Sequence, residues 1–140
     1  MKEITTVEMF RESIEQPTIA MFTAGWCPDC HFIAPLLPEI ESENEAYQFI
    51  SIDRDEFIDL AVEYDVMGIP SFIAFDKGAE IGRFVSKDRK TKDEVNAFIK
   101  GLFALSVLSI VYRGHACNFF KYGKEVVLVL ISEFEGYFFY

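Results

Sequence analysis

The chain has 140 residues, about one domain's worth, and 51% of them are hydrophobic, enough for an ordinary core. Its net charge of −10 disfavours nucleic acid and anionic membrane as partners, since both select for positive charge. Three cysteines are too few for a disulfide scaffold, and an odd number leaves one unpaired.

The N-terminus, "MKEITTVEMFRESIEQ", carries acidic residues throughout and has no apolar h-region, so no signal peptide is read there and a reducing cytoplasm is expected. Thr5 and Glu8 match a capping box that opens a helix with Val7, Phe10 and Ile14 on one face, stopped by Pro17. "TIAMFTA" (18–24) reads as a short, buried strand. Directly after it comes "GWCPDCHF", with Cys27 and Cys30 separated by two residues. Ile33, Leu36, Leu37 and Ile40 then recur at helical spacing, so a helix is expected from about Cys27 to Glu43, kinked by Pro35.

"YQFISID" (47–53) is a second apolar strand, and Phe57, Leu60, Ala61 and Tyr64 mark a short amphipathic helix. "SFIAF" (71–75) and "EIGRFV" (80–85) read as strands joined by the hairpin signal Asp76-Lys77-Gly78-Ala79. Thr91 and Glu94 form another capping box, followed by an apolar face of Val95, Phe98, Ile99, Leu102 and Phe103. Crossover helices imply parallel strands and the hairpin adds an antiparallel edge, so the expected fold is α/β, a central mixed sheet with helices on both faces.

Charge divides the chain unevenly. Residues 1–104 hold 20 acidic and 10 basic residues, whereas residues 105–140 hold 3 of each and 9 of the 22 aromatics. Residues 1–104 are read as the domain and residues 105–140 as an extension, either non-native in origin or an added hairpin turning at Tyr122-Gly123-Lys124. Its apolar runs are too short to span a bilayer.

The Cys27/Cys30 spacing serves a structural disulfide, a metal site or a redox pair. Zinc needs about four ligands, which would draw in His31, His115 and Cys117. A bridge between adjacent helical turns closes too small a loop to stabilise much. The strand-to-helix junction favours redox chemistry. Unpaired N–H groups and the positive end of the helix dipole stabilise a thiolate on Cys27, where a free thiol titrates near ~8.5 and such positions lower it to roughly 3.5–7.5. Cys30, one turn on, is placed to resolve a mixed disulfide formed at Cys27. Pro28 suits the first helical turn, Asp29 partly opposes the thiolate, and His31 could tune it if protonated. The run Lys87, Arg89, Lys90, Lys92 reads as a solvated loop, and Cys117 as an inert thiol.

"WCPDC" after a buried strand, "IAPLLPEI" with its proline eight residues past Cys27, and "YDVMGIPSFIAFDKG" together resemble the thioredoxin superfamily over roughly residues 1–104. The nearest look-alikes are small cytosolic thioredoxin-like proteins with WCPDC. The resemblance implies a thioredoxin fold with a cis-proline at Pro70, Ile69 supplying backbone hydrogen bonds to substrate and Trp26 a flat apolar wall. It implies a disulfide reductase that binds no cofactor and whose Cys27–Cys30 disulfide is recycled by an external reductant, usually an NADPH-dependent flavoprotein reductase. Thioredoxin-type pairs lie near about −270 mV, against about −120 mV for strong oxidants. Disulfide-containing proteins or small disulfides are the expected substrates, with no nucleic acid or membrane partner. A reductase of mixed disulfides with a low-molecular-weight thiol, or a non-catalytic binding module, are the alternatives. Two positions depart from the family: Met21 stands where a buried aspartate is usual, and Phe49 where a lysine is usual, four residues before Asp53. Asp29, or water, is expected to take over part of the base role at Cys30.

Overall fold

The computed structural model describes the backbone of residues 1–112 and the side chains of residues 1–104. The expected hairpin at Tyr122-Gly123-Lys124, along with His115 and Cys117, lies outside the described residues. Contacts divide the chain into a unit Met1–Leu102 and a second beginning at Phe103. The sequence boundary at residue 104 falls just beyond that division.

Among the described residues five strands form one sheet in the order β1-β3-β2-β4-β5: β1 Lys2–Glu3, β2 Thr18–Thr23, β3 Gln48–Asp53, β4 Ser71–Asp76 and β5 Ala79–Phe84. β1 and β2 run parallel to β3, whereas β4 runs antiparallel to both β2 and β5. The mixed sheet is therefore as expected, with β2 at its centre. β1 was not foreseen: two exposed residues give no alternation to read.

Among the described residues five helices accompany the sheet: α1 Val7–Ser13, α2 Pro28–Ile33, α3 Leu37–Glu43, α4 Ile58–Glu63 and α5 Lys92–Tyr112. The side chains of β2 and β4 are buried at consecutive positions, and successive strand residues point to opposite faces, so both faces of the sheet are covered. The contacts say by what. Phe75 meets Phe10 of α1 and Tyr64 after α4 in edge-to-face ring pairs at 5.1–5.7 Å. Phe84 meets Phe98 of α5, and Phe84 lies opposite Phe72 in the ladder. Phe72 and Phe75 are an odd number of residues apart, so α1 and α4 pack on one face and α5 on the other. Asn44, at the end of α3, donates to Asn96 of α5 at 2.7 Å, which places α3 beside α5.

Local chemistry fixes the element ends, with three corrections. α1 is capped by Thr6, whose hydroxyl accepts from Met9 N–H at 3.1 Å. The Thr5 hydroxyl reaches only Met9 Sδ, and Val7 is 40% exposed rather than on the buried face. Starting one residue later turns Phe10 and Ser13 inward. The helix expected from Cys27 to Glu43 begins at Pro28 and is interrupted at Pro35. A 3₁₀ turn, Ala34–Leu36, separates α2 from α3, because Pro35 removes an N–H and its ring clashes with the preceding turn. Phe103, expected on the apolar face of α5, is exposed, while Val95, Ile99 and Leu102 are buried.

Two features are as expected. The Thr91/Glu94 box is reciprocal: Thr91 N–H donates to Glu94 at 2.9 Å and Glu94 N–H to the Thr91 hydroxyl at 3.3 Å. The β4–β5 hairpin turns through Lys77 and Gly78, both at positive φ, as a two-residue primed turn requires. Lys77 and Gly78 N–H donate to Glu15 and Ile14 carbonyls, which ties the strained tip to the end of α1.

Candidate active site

The site begins where the central strand ends. After Thr23 the chain turns through Ala24-Gly25-Trp26, closed by Cys27 N–H donating to Ala24 O at 3.2 Å. Cys27 is extended and caps α2: its Sγ accepts from Cys30 N–H at 3.1 Å. Pro28 occupies the first turn, where no intrahelical N–H bond is lost. The Cys27 and Cys30 sulfurs are bonded to each other, with Cα atoms 5.2 Å apart, and each residue is only 3% exposed. The spacing read from sequence therefore forms a helix-capping disulfide.

Trp26 is 62% exposed, and its indole N–H donates to Asp55 at 2.7 Å. Asp55 follows β3, and its own N–H donates to Asp53 at 2.8 Å, so the indole is braced from the neighbouring strand's end. His31 Nε2 lies 2.8 Å from Gly25 O. A carbonyl only accepts, so Nε2 carries the proton and the ring fastens α2 to the turn before it. Met21 and Phe49, the two departures noted in the sequence, are buried on the adjacent strands β2 and β3.

Ile69 and Pro70 precede β4, and the peptide between them is cis. Both are buried. The Ser71 hydroxyl donates to Gly68 O, closing this loop on itself. Gly68 lies against the backbone of Ser86 and Lys87: a Cβ there would sit 2.6 Å from Ser86 O. The segment before β4 and the loop after β5 are thus in direct contact.

That second loop corrects the reading of the basic run. Lys90 is 1% exposed, not solvated. Its ammonium donates to Ser86 O, Ser86 Oγ and Asp88 O at 2.9–3.1 Å and lies 5.1 Å from the Phe84 ring centroid. Burial pushes its pKa down, partly opposed by Asp88, Glu94 and Asp29. Lys92 pairs with Glu39 and Glu43 of α3. Arg89 reaches the site itself: its Nε donates to Asp29 Oδ1 at 2.7 Å and its guanidinium lies 4.7 Å from the Phe32 ring centroid. Asp55, Gly68, Arg89 and Lys90 were not anticipated at the site. Each reaches it through a tertiary contact with no sequence signal. Among the described residues no cluster of histidine, cysteine and carboxylate side chains is arranged to hold a metal ion.

The thioredoxin family model matches residues 2–101. The mitochondrial thioredoxin-2 of Schizosaccharomyces pombe is 32% identical over 96 residues, covering 65% of this chain and 72% of its own. Thioredoxin H5 of Arabidopsis thaliana is 34% identical over 97 residues, covering 65% and 80%. The oxidised form of mitochondrial thioredoxin 3 from Saccharomyces cerevisiae matches with a TM-score of 0.64 and 26% identity, over 72% of this chain and 94% of that one.

Proposed function

Since the chain belongs to the thioredoxin family and is a dithiol–disulfide oxidoreductase, we propose that it works in the reducing direction, with Cys27 as nucleophile and Cys30 as resolving thiol. The observation that carries this reading is the hydrogen bond from Cys30 N–H to Cys27 Sγ at the start of α2. In the reduced protein the same N–H stabilises a thiolate on Cys27 more than a thiol, because a charged acceptor makes the stronger bond.

The Cys27 thiolate attacks one sulfur of a substrate disulfide. A Cys27–substrate bond forms, the substrate S–S bond breaks, and its second sulfur leaves as a thiolate. The Cys30 thiol loses its proton and attacks Cys27 Sγ. The Cys27–Cys30 bond forms and the substrate leaves as a dithiol, so two electrons have passed to it. Asp29 Oδ1 already accepts from Arg89 Nε at 2.7 Å, so we assign the Cys30 proton to water. Trp26, Ile69 and Pro70 form the substrate groove, with the Ile69 backbone pairing to an extended segment around the disulfide.

The oxidised pair returns to the dithiol through an external reductant, which we assign to an NADPH-dependent flavoprotein reductase. We place the protein in the cytoplasm, where such a reductant maintains thiols. Its relatives include mitochondrial forms. Among the described residues no helix is long and apolar enough to cross a membrane.

Insulin reduction by the full chain with dithiothreitol tests the activity. Cys27→Ser should abolish it, and Cys30→Ser should accumulate a covalent adduct on Cys27. If Cys30→Ser keeps most of the wild-type rate, the dithiol mechanism is wrong and single-thiol exchange with a low-molecular-weight thiol replaces it. If the wild-type protein leaves insulin intact, the reductase reading fails.

A further inference from the structure

The contact between Arg89 and Asp29 joins two elements that the exchange chemistry does not need to join. Asp29 is in the first turn of α2, two residues from the sulfur that must carry negative charge. By itself its carboxylate disfavours that charge. Arg89 comes from the loop between β5 and α5, sixty residues along the chain. Its guanidinium is held twice, by the Nε–Oδ1 hydrogen bond at 2.7 Å and by the Phe32 ring at 4.7 Å. Phe32 is itself on α2 and exposed, so the ring has no core to fill and serves as a platform for the guanidinium. Beneath, Lys90 fixes the same loop by donating to Ser86 and Asp88 carbonyls.

We propose that Arg89 is a positioning residue for thiol–disulfide exchange: it holds and neutralises Asp29, so that the Cys27 thiolate forms beside a charge-neutral pair instead of beside a bare carboxylate. The inference rests on the reading of Cys27 as the attacking sulfur. The other charged or titratable side chains joined to the site are His31 on α2, Asp55 on the indole of Trp26, and Asp88 and Lys90 in the Arg89 loop. The imidazole and Asp55 are engaged by Gly25 O and the indole N–H. Lys90 is turned inward to loop carbonyls, which leaves Arg89 as the cation that meets Asp29 through a hydrogen bond.

The pair makes a distinctive prediction, because its two charges act on the thiolate with opposite sign. In the reduced full chain, the pH dependence of iodoacetamide alkylation at Cys27, followed by mass spectrometry of its peptide, gives the midpoint for thiolate formation. Arg89→Gln should raise that midpoint by about half a unit, the size expected of one nearby surface charge screened largely by water. Asp29→Asn should lower it. The double variant should return close to wild type, since the site is again neutral. Arg89 is a half-exposed surface residue, so none of these changes threatens the fold. A structural role for the contact moves both single variants in one direction, and that result, or no movement in Arg89→Gln, overturns the proposal. A wild-type midpoint equal to that of free cysteine overturns both this inference and the assignment of Cys27. A low wild-type midpoint with an unresponsive Arg89→Gln overturns the inference alone.

Discussion

Gly68 is where the cis-proline loop and the Arg89 loop meet, and Gly68→Ala is the sharpest probe of that junction. An alanine Cβ would stand 2.6 Å from Ser86 O, 2.8 Å from Ser86 C and 2.9 Å from Lys87 Cα. Ordinary contact begins near ~3.5 Å, so the two segments must separate by roughly 0.6–0.9 Å. All three obstructing atoms are backbone, so no rotamer change relieves the clash. Neither segment is free to retreat: Lys90 ties Ser86 and Asp88 from below, and Ser71 ties Gly68 O to the start of β4. Overpacking of this kind costs about 1–3 kcal/mol, and the rigid surroundings put Gly68→Ala in the upper half of that range. For a domain of about this size, ~2 kcal/mol corresponds to a fall of roughly 8–16 °C in Tm. Urea denaturation of the oxidised full chain gives the free energy, and insulin reduction gives the functional consequence, a lower kcat/KM as Ile69 shifts. A variant within about 0.5 kcal/mol of wild type, the size of an ordinary surface substitution, would refute the reasoning.

Further outcomes follow from other contacts. Phe75→Ala removes the ring that meets both Phe10 and Tyr64 and should cost about 3–5 kcal/mol by denaturation, against about 1 kcal/mol for Thr6→Ala at the α1 cap. Glu94 is held below its usual pKa by the Thr91 backbone N–H and hydroxyl, so it stabilises the fold above the ordinary carboxylate range and loses that effect as pH falls through its folded value. The stability gap between wild type and Glu94→Gln should therefore close on acidification, and a gap that is constant from pH 7 to pH 3 contradicts the capping contact. Lys90 has the same sense for the opposite reason, since here the fold disfavours the charged form. Burial lowers its folded pKa, so between that value and about 10.4 the unfolded chain binds the extra proton and stability rises with pH. Relative to Lys90→Met, wild type should gain stability across that window in thermal melts, and a flat difference would show the ammonium to be solvated.

The parts legible in sequence were those written in local chemistry. The strands 18–24, 47–53 and 71–75 show as apolar runs because β2, β3 and β4 are inside the sheet. Cys27 and Cys30 could be placed at a helix start because a strand, a small-residue turn and Pro28 precede and open that helix. Thr6 was missed because two threonines in succession both offer a cap, and only the burial of Phe10 and Ser13 selects the second. The basic run misled for a different reason. Nothing in "SKDRK" distinguishes a lysine that turns onto loop carbonyls from one that faces water, or an arginine that finds a carboxylate on α2. Those fates are set by where β5 ends relative to the site, and only the sheet order decides that.

The interruption at Ala34–Leu36 also bears on how the disulfide is mounted. The sulfur bridge spans the first turn of α2, a helix of six residues. The 3₁₀ turn separates it from α3, which is moored through Asn44, Asn96 and Glu43. The bridge thus sits on a segment of its own, and α2 and α3 each hold the core through their own buried side chains, Cys30 and Ile33 in one and Leu37 and Ile40 in the other.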